Sequence, residues 1–71
     1  MAEAILNIAG YRFVDLVDRD ELRAPMKKVC QQAGLRGTIL LAHEGINFFL
    51  AGTEGGIETF LAYLDQDLRF L

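Results

Sequence analysis

The side chains best suited to chemistry gather in one short run, His43-Glu44-Gly45-Ile46-Asn47, between two apolar stretches. An imidazole beside a carboxylate is a familiar source of general acid or base chemistry, but it needs a substrate or nucleophile within hydrogen-bond reach. No nucleophile stands at a spacing that would complete such a pair. A metal would need three or four ligands, and this chain has one histidine and one cysteine. No metal site is expected; a general acid or base role for His43 stays open, without an evident nucleophile partner, beside its role in the turn. Cys30 falls on an apolar helical stripe, whereas a reactive thiol needs exposure and a thiolate-stabilising neighbour. Nothing local supplies one, although Lys27 is one turn away, so core packing is the expected role of Cys30. Arg19, Arg23 and Lys27 are spaced i, i+4 and i+8 on one helix face and, with Arg36, could meet phosphates. His43-Glu44-Gly45 reads as a hairpin turn with glycine available for positive φ, and Asn47 is placed to hydrogen-bond back to it.

These residues sit in a chain of 71 residues, enough for a single domain. A domain this small buries only about 60% of its unfolded surface. A single cysteine excludes an internal disulfide and fits a reducing compartment. The N-terminus MAEAILNIAG has no basic residue, against a secretory signal. No apolar run approaches the ~20 residues needed to span a bilayer. A cytoplasmic domain without membrane partners is expected. The net charge of −3 is unevenly spread: residues 1–21 carry −3, residues 22–43 carry +4 with no acid, and residues 44–71 carry −4. An acidic whole disfavours strong non-specific nucleic-acid binding, while the central basic segment leaves oriented binding open.

Ile5 to Leu16, ILNIAGYRFVDL, is rich in aromatic and β-branched residues and reads as a first strand, with Gly10 marking a bulge. Asp18 to Ala33 shows a helical stripe of Leu22, Met26, Val29, Cys30 and Ala33. Asp18 and Glu21 resemble a capping box, Pro25 interrupts the helix or starts its main part, and Gly34 closes it. Thr38–Ala42 and Ile46–Ala51 read as strands. Thr53 caps a second helix with the stripe Ile57, Phe60, Leu61 and Leu64. Leu68 to Leu71 reads as the start of a fourth strand. The order β-α-β-β-α-(β) is the α+β, ferredoxin-like split β-α-β pattern, with two helices on one face of an antiparallel sheet and the last strand short or truncated. The other face would expose Tyr11, Phe13 and one of Phe48 or Phe49, a contact surface for protein or for stacked bases.

AGLRGTILLAHEG, Ala33 to Gly45, resembles the middle of acylphosphatases. There an asparagine near this part of the sheet and an arginine in a glycine-rich loop bind a phosphoryl group. The corresponding connection here, VDRDELR, has no glycine, and its acids repel phosphate. NIAGYRFVDL, AGLRGTILLAHEGIN and FFLAGT together resemble the N-terminal domain of the rhodanese-related tRNA wobble-uridine hydroxylase family, from about Asn7 to Leu71. The most specific parts are Gly34 to Leu40 and Glu44-Gly45-Ile46-Asn47. Phe48-Phe49 stands where many members have Gly-Thr.

The resemblance implies a longer protein that performs oxygen-dependent 5-hydroxylation of the wobble uridine. Its catalytic cysteine would lie in a C-terminal rhodanese-like domain, and Cys30 does not correspond to it. For residues 1–71 the resemblance implies an acylphosphatase-like accessory domain with no catalytic residue or cofactor of its own. That domain would pack on the rhodanese-like domain and help hold tRNA. Arg19, Arg23, Lys27, Arg36, Tyr11 and Phe49 are the RNA-contact candidates. Glu44, Gly45, Ile46 and Asn47 are the motif candidates. The alternatives are a free-standing ferredoxin-like interaction or regulatory module and a small acylphosphatase-like phosphohydrolase.

Overall fold

The computed structural model describes residues 4–70. Its elements run β1 (Leu6–Phe13), α1 (Arg19–Gln32), β2 (Arg36–Ala42), β3 (Gly45–Gly52), α2 (Glu54–Asp65) and a 3-10 turn (Leu68–Phe70). The sheet has the order β1-β3-β2, and both pairings are antiparallel. This is the expected α+β arrangement.

Register decides which face each residue takes. Ile46, Phe48 and Leu50 of β3 align with Arg12, Gly10 and Ile8 of β1 and with Leu41, Ile39 and Gly37 of β2. This set lies on the helix side, where Leu16, Met26, Cys30, Ile46, Leu50, Phe60 and Leu64 form the buried core. Phe48 meets Phe60 edge-on, ring centroids 5.2 Å apart. Gly10 makes that possible, because a Cβ there would lie 2.7 Å from Phe48 Cζ. The pairing runs from Leu6↔Gly52 to Phe13↔Gly45 without interruption, so Gly10 is not a bulge as its residue type suggested. It is a gap filled by a neighbouring ring.

The helix ends follow local chemistry in part. Gly34 takes φ +71°, with Gly34 N–H donating to the Gln31 carbonyl and Leu35 N–H to the Cys30 carbonyl, a Schellman closure of α1. Thr53 Oγ1 accepts from Gly56 N–H at 3.1 Å and caps α2. Asp18 precedes α1, but its carboxylate makes no capping bond. It is engaged instead by Arg69, whose guanidinium reaches both Asp18 oxygens at 2.6 and 3.1 Å and also grips Asp67. A bidentate charged pair outcompetes a cap to neutral N–H groups. α1 continues through Pro25 as one helix.

Leu68–Phe70 forms the 3-10 turn rather than the start of a strand, and Leu71 lies outside the described residues. Asp67 drives this locally. Its carbonyl accepts from Phe70 N–H and its carboxylate from Arg69 N–H, curling the chain where a strand would extend it.

The clasp makes stability acid-sensitive. The Arg69 guanidinium holds the carboxyls of Asp18 and Asp67 below the usual carboxylate range. A carboxyl with a lowered folded-state pKa contributes stability that is present above its unfolded value of about 3.9 and is lost as pH falls through the folded value. The melting midpoint is therefore expected to fall as the pH drops below about 4. Asp18→Asn should lower the midpoint at neutral pH and flatten that acid limb. A parallel decline in both proteins would remove the clasp as its source.

Candidate functional site

The hairpin turn is His43-Glu44, between Ala42 and Gly45. Neither residue has positive φ, whereas Gly45 takes φ +150° at the start of β3. The turn carbonyls are occupied: Glu44 O accepts from Val14 N–H at 2.9 Å, and His43 O from Leu16 N–H at 3.0 Å. The hairpin thus fastens the β1–α1 connection and seats Leu16, which is fully buried. This is also why β1 ends at Phe13 rather than Leu16: Val14 and Leu16 spend their N–H groups on the turn. The same two bonds bear on phosphate chemistry. A phosphate cradle needs free, convergent N–H groups, and two of this connection's are already bonded.

The opposite face of the sheet has no helix on it among the described residues. Tyr11, Asn47 and Leu40 lie in one row across β1, β3 and β2, with Phe13 beyond them, and Ala9, Phe49 and Thr38 form the next row. Tyr11, Phe13, Leu40 and Phe49 are 73%, 80%, 59% and 60% exposed. Tyr11 and Phe13 meet edge-on at 5.5 Å. A shallow cleft of about 300 Å³ runs over Tyr11, Phe13, Leu40 and Asn47 to Glu44. Phe49 is therefore the exposed member of the Phe48-Phe49 pair. Leu40 belongs to the patch although its run of aliphatic neighbours gave no sign of which face it takes.

The motif residues separate accordingly. Glu44 and Asn47 border the cleft and Gly45 starts its strand, while Ile46 points into the core. Asn47 makes no side-chain hydrogen bond among the described residues, so its amide does not close the turn and is free toward the open face. The four cations singled out in the sequence do not converge on this cleft, whose lining cation is Arg12. Arg36 is on the open side of β2 in register with Ala51, whereas Arg19, Arg23 and Lys27 ride on α1 behind the sheet. Arg23 pairs with Asp20 at 3.3 Å. Cys30 is buried, and burial pushes its thiol up, which suits packing. Among the described residues no group of three or more His, Cys, Asp and Glu gathers as a metal site, and no helix is long and apolar enough to cross a membrane. The Asp18–Arg69–Asp67 cluster had no sequence signal, because Asp18 and Arg69 are 51 positions apart.

A three-stranded antiparallel sheet in the order β1-β3-β2, with both helices on one side and an open apolar face on the other, defines an acylphosphatase-like α+β domain. Within that class the chain belongs to the UPF0176 acylphosphatase-like domain family, whose model matches residues 5–71. It is similar to the tRNA uridine(34) hydroxylase of Cupriavidus metallidurans, 56% identical over 66 residues, covering 93% of this chain and 23% of that protein. The protein of the same name from Thiobacillus denitrificans is 55% identical over 67 residues, covering 94% of this chain and 27% of that protein. That from Bordetella parapertussis is 51% identical over 67 residues, covering 94% and 28%. The chain spans about a quarter of the length of these relatives.

Proposed function

We propose that this chain is the accessory N-terminal domain of a cytoplasmic tRNA-modifying enzyme, whose longer polypeptide performs the oxygen-dependent 5-hydroxylation of the wobble uridine. The observation that carries this reading is the 51–56% identity, over 93–94% of the chain, to proteins named tRNA uridine(34) hydroxylase. The catalytic cysteine belongs to a rhodanese-like domain beyond residue 71. Cys30, buried and with its thiol pushed up, is unsuited to that role. The domain itself contributes surfaces. Its open face is apolar, with Arg36 at one end and Glu44 at the other, and an exposed patch of this kind favours burial against protein. Packing of the Tyr11, Phe13 and Leu40 end of that face on the rhodanese-like domain leaves the cations of α1 and β2 to help hold tRNA.

The test uses the intact gene product in cells that lack their own wobble-uridine hydroxylase. tRNA from cells with the intact gene is expected to contain 5-hydroxyuridine at position 34 by mass spectrometry. Deleting residues 5–71 should reduce it at least about tenfold, the loss expected when substrate positioning is removed. Hydroxylation at the intact level after the deletion would overturn the accessory role. Absence of the modified nucleoside with the intact gene would overturn the enzyme assignment.

A further inference from the structure

On the helix side, α1 stands over the outer edge of β2 and leaves a cleft of about 370 Å³. Met26, Ile39 and Leu41 line its interior, and Arg23 and Lys27 supply its charge; no carboxylate lines it. β2 has β3 on one side only, so outward-facing N–H groups on its other edge have no ladder partner among the described residues. Arg36 begins the same strand on the open side, diagonal to the exposed ring of Phe49. Three cations thus bracket a single strand edge from both faces of the sheet. Lys27 and Arg36 enter no ion pair among the described residues. Arg23 holds only Asp20, and both side chains are mostly exposed, an arrangement worth little and readily exchanged for a phosphate. The segment 22–43 that builds this edge carries +4 in a chain of net −3.

We infer that the outer edge of β2 is a track for the sugar–phosphate backbone of an RNA strand. Arg23 and Lys27 meet phosphates on the α1 side, Arg36 meets one on the open side, and Phe49 offers a stacking face for one base. The inference rests on the tRNA reading above and deepens it by naming the site. An RNA strand fits better than an acidic peptide because an aromatic face beside a line of cations serves any base and its phosphate together. Tyr11 lies outside the track, paired with Phe13 toward the other end of the sheet. Arg19 lies outside it too, as it does not line the cleft.

The experiment measures binding of an unmodified tRNA transcript to the intact gene product by fluorescence anisotropy, between about 50 and 200 mM KCl. Neutralising one phosphate-binding cation should reduce the slope of log affinity against log salt by about 0.7. The triple variant Arg23→Gln, Lys27→Gln, Arg36→Gln is therefore expected to bind with a slope shallower by about 2, and at least about tenfold more weakly at the lower salt. Phe49→Ala should weaken binding about fivefold or more and leave the slope unchanged. Lys28→Gln, on the same helix but outside the cleft, should bind with no more than a minor change. Matching melting midpoints would show that the variants are folded. Wild-type affinity and slope in the triple variant, while the parent binds tRNA, would overturn the track and leave the tRNA reading standing. That result with a domain newly open to proteolysis would give the edge to a protein contact. Failure of the parent itself to bind tRNA would remove both.

Discussion

Phe60→Ala is expected to cost about 3–5 kcal/mol, the usual range for emptying a buried aromatic site. At 0.05–0.15 kcal/mol per residue, 71 residues have roughly 4–11 kcal/mol of stability in total, so this one change removes much of it. Phe60 is fully buried, and its ring supports Phe48 edge-on, which in turn covers Gly10. Removing the ring leaves Phe48 without its partner at the centre of β3, so the void cannot be closed by α2 alone. Urea unfolding followed by circular dichroism should show a much lower midpoint with a similar slope. Glu58→Gln, two positions away and exposed, should stay within about 0.5 kcal/mol of the parent. A cost below about 1 kcal/mol for Phe60→Ala would mean that Phe48 and Leu64 refill the site and that the stacked pair does not organise the core.

What could be read from the sequence was set by local rules. The stripe Leu22, Met26, Val29 and Cys30 belongs to one helix and points one way, so α1 and its closure at Gly34 follow from spacing and one special φ. The hairpin at His43-Glu44 likewise needs only its own residues and Gly45. What could not be read depends on partners distant in the chain. Phe48 and Phe49 are adjacent and chemically identical. Their faces are fixed by register, and the space above Gly10 that admits Phe48 lies on another strand. Leu61 fits the stripe of α2 yet is partly exposed, because it sits toward the outer edge of β1, where the sheet stops. Asp18 has the residue type of a helix cap, but Arg69 at the far end of the chain claims its carboxylate. The apolar run Leu68 to Leu71 suggested a strand because the turn-forming role of Asp67 lies just outside it.

The site divides along the same line. That His43-Glu44 turns the chain between two strands was legible, since apolar runs flank it and a glycine follows. The carbonyls of His43 and Glu44, which anchor the β1–α1 connection, were not legible, because backbone acceptors leave no trace in residue type. The helical spacing of Arg19, Arg23 and Lys27 suggested one surface. The structure sets two of them, with Arg36, around β2 and separates them from Tyr11.

Gly45→Ala tests that anchoring role and is expected to cost about 3 kcal/mol or more. Gly45 has φ +150°, a conformation that an L side chain adopts only under strain of order 1–3 kcal/mol. A Cβ there would also enter the space of the Arg12 carbonyl oxygen, a backbone atom that no rotamer change can move. Overpacking of this kind adds about 1–3 kcal/mol. Relief requires β3 to draw away from β1 at the Phe13↔Gly45 pair, the point where the turn carbonyls hold Val14 and Leu16. The Val14 and Leu16 amides should accordingly be protected from hydrogen exchange in the parent and exchange much faster in the variant, before the amides of β2 do so. Gly55→Ala provides the contrast. Gly55 lies in the first turn of α2 with nothing within 4 Å of an added Cβ, so the methyl group should stabilise the domain by up to about 1 kcal/mol. If Gly45→Ala left both amides protected and stability within about 0.5 kcal/mol of the parent, the glycine would be incidental. His-Glu-Gly would then be a bend between two strands and not the fastening of the β1–α1 connection.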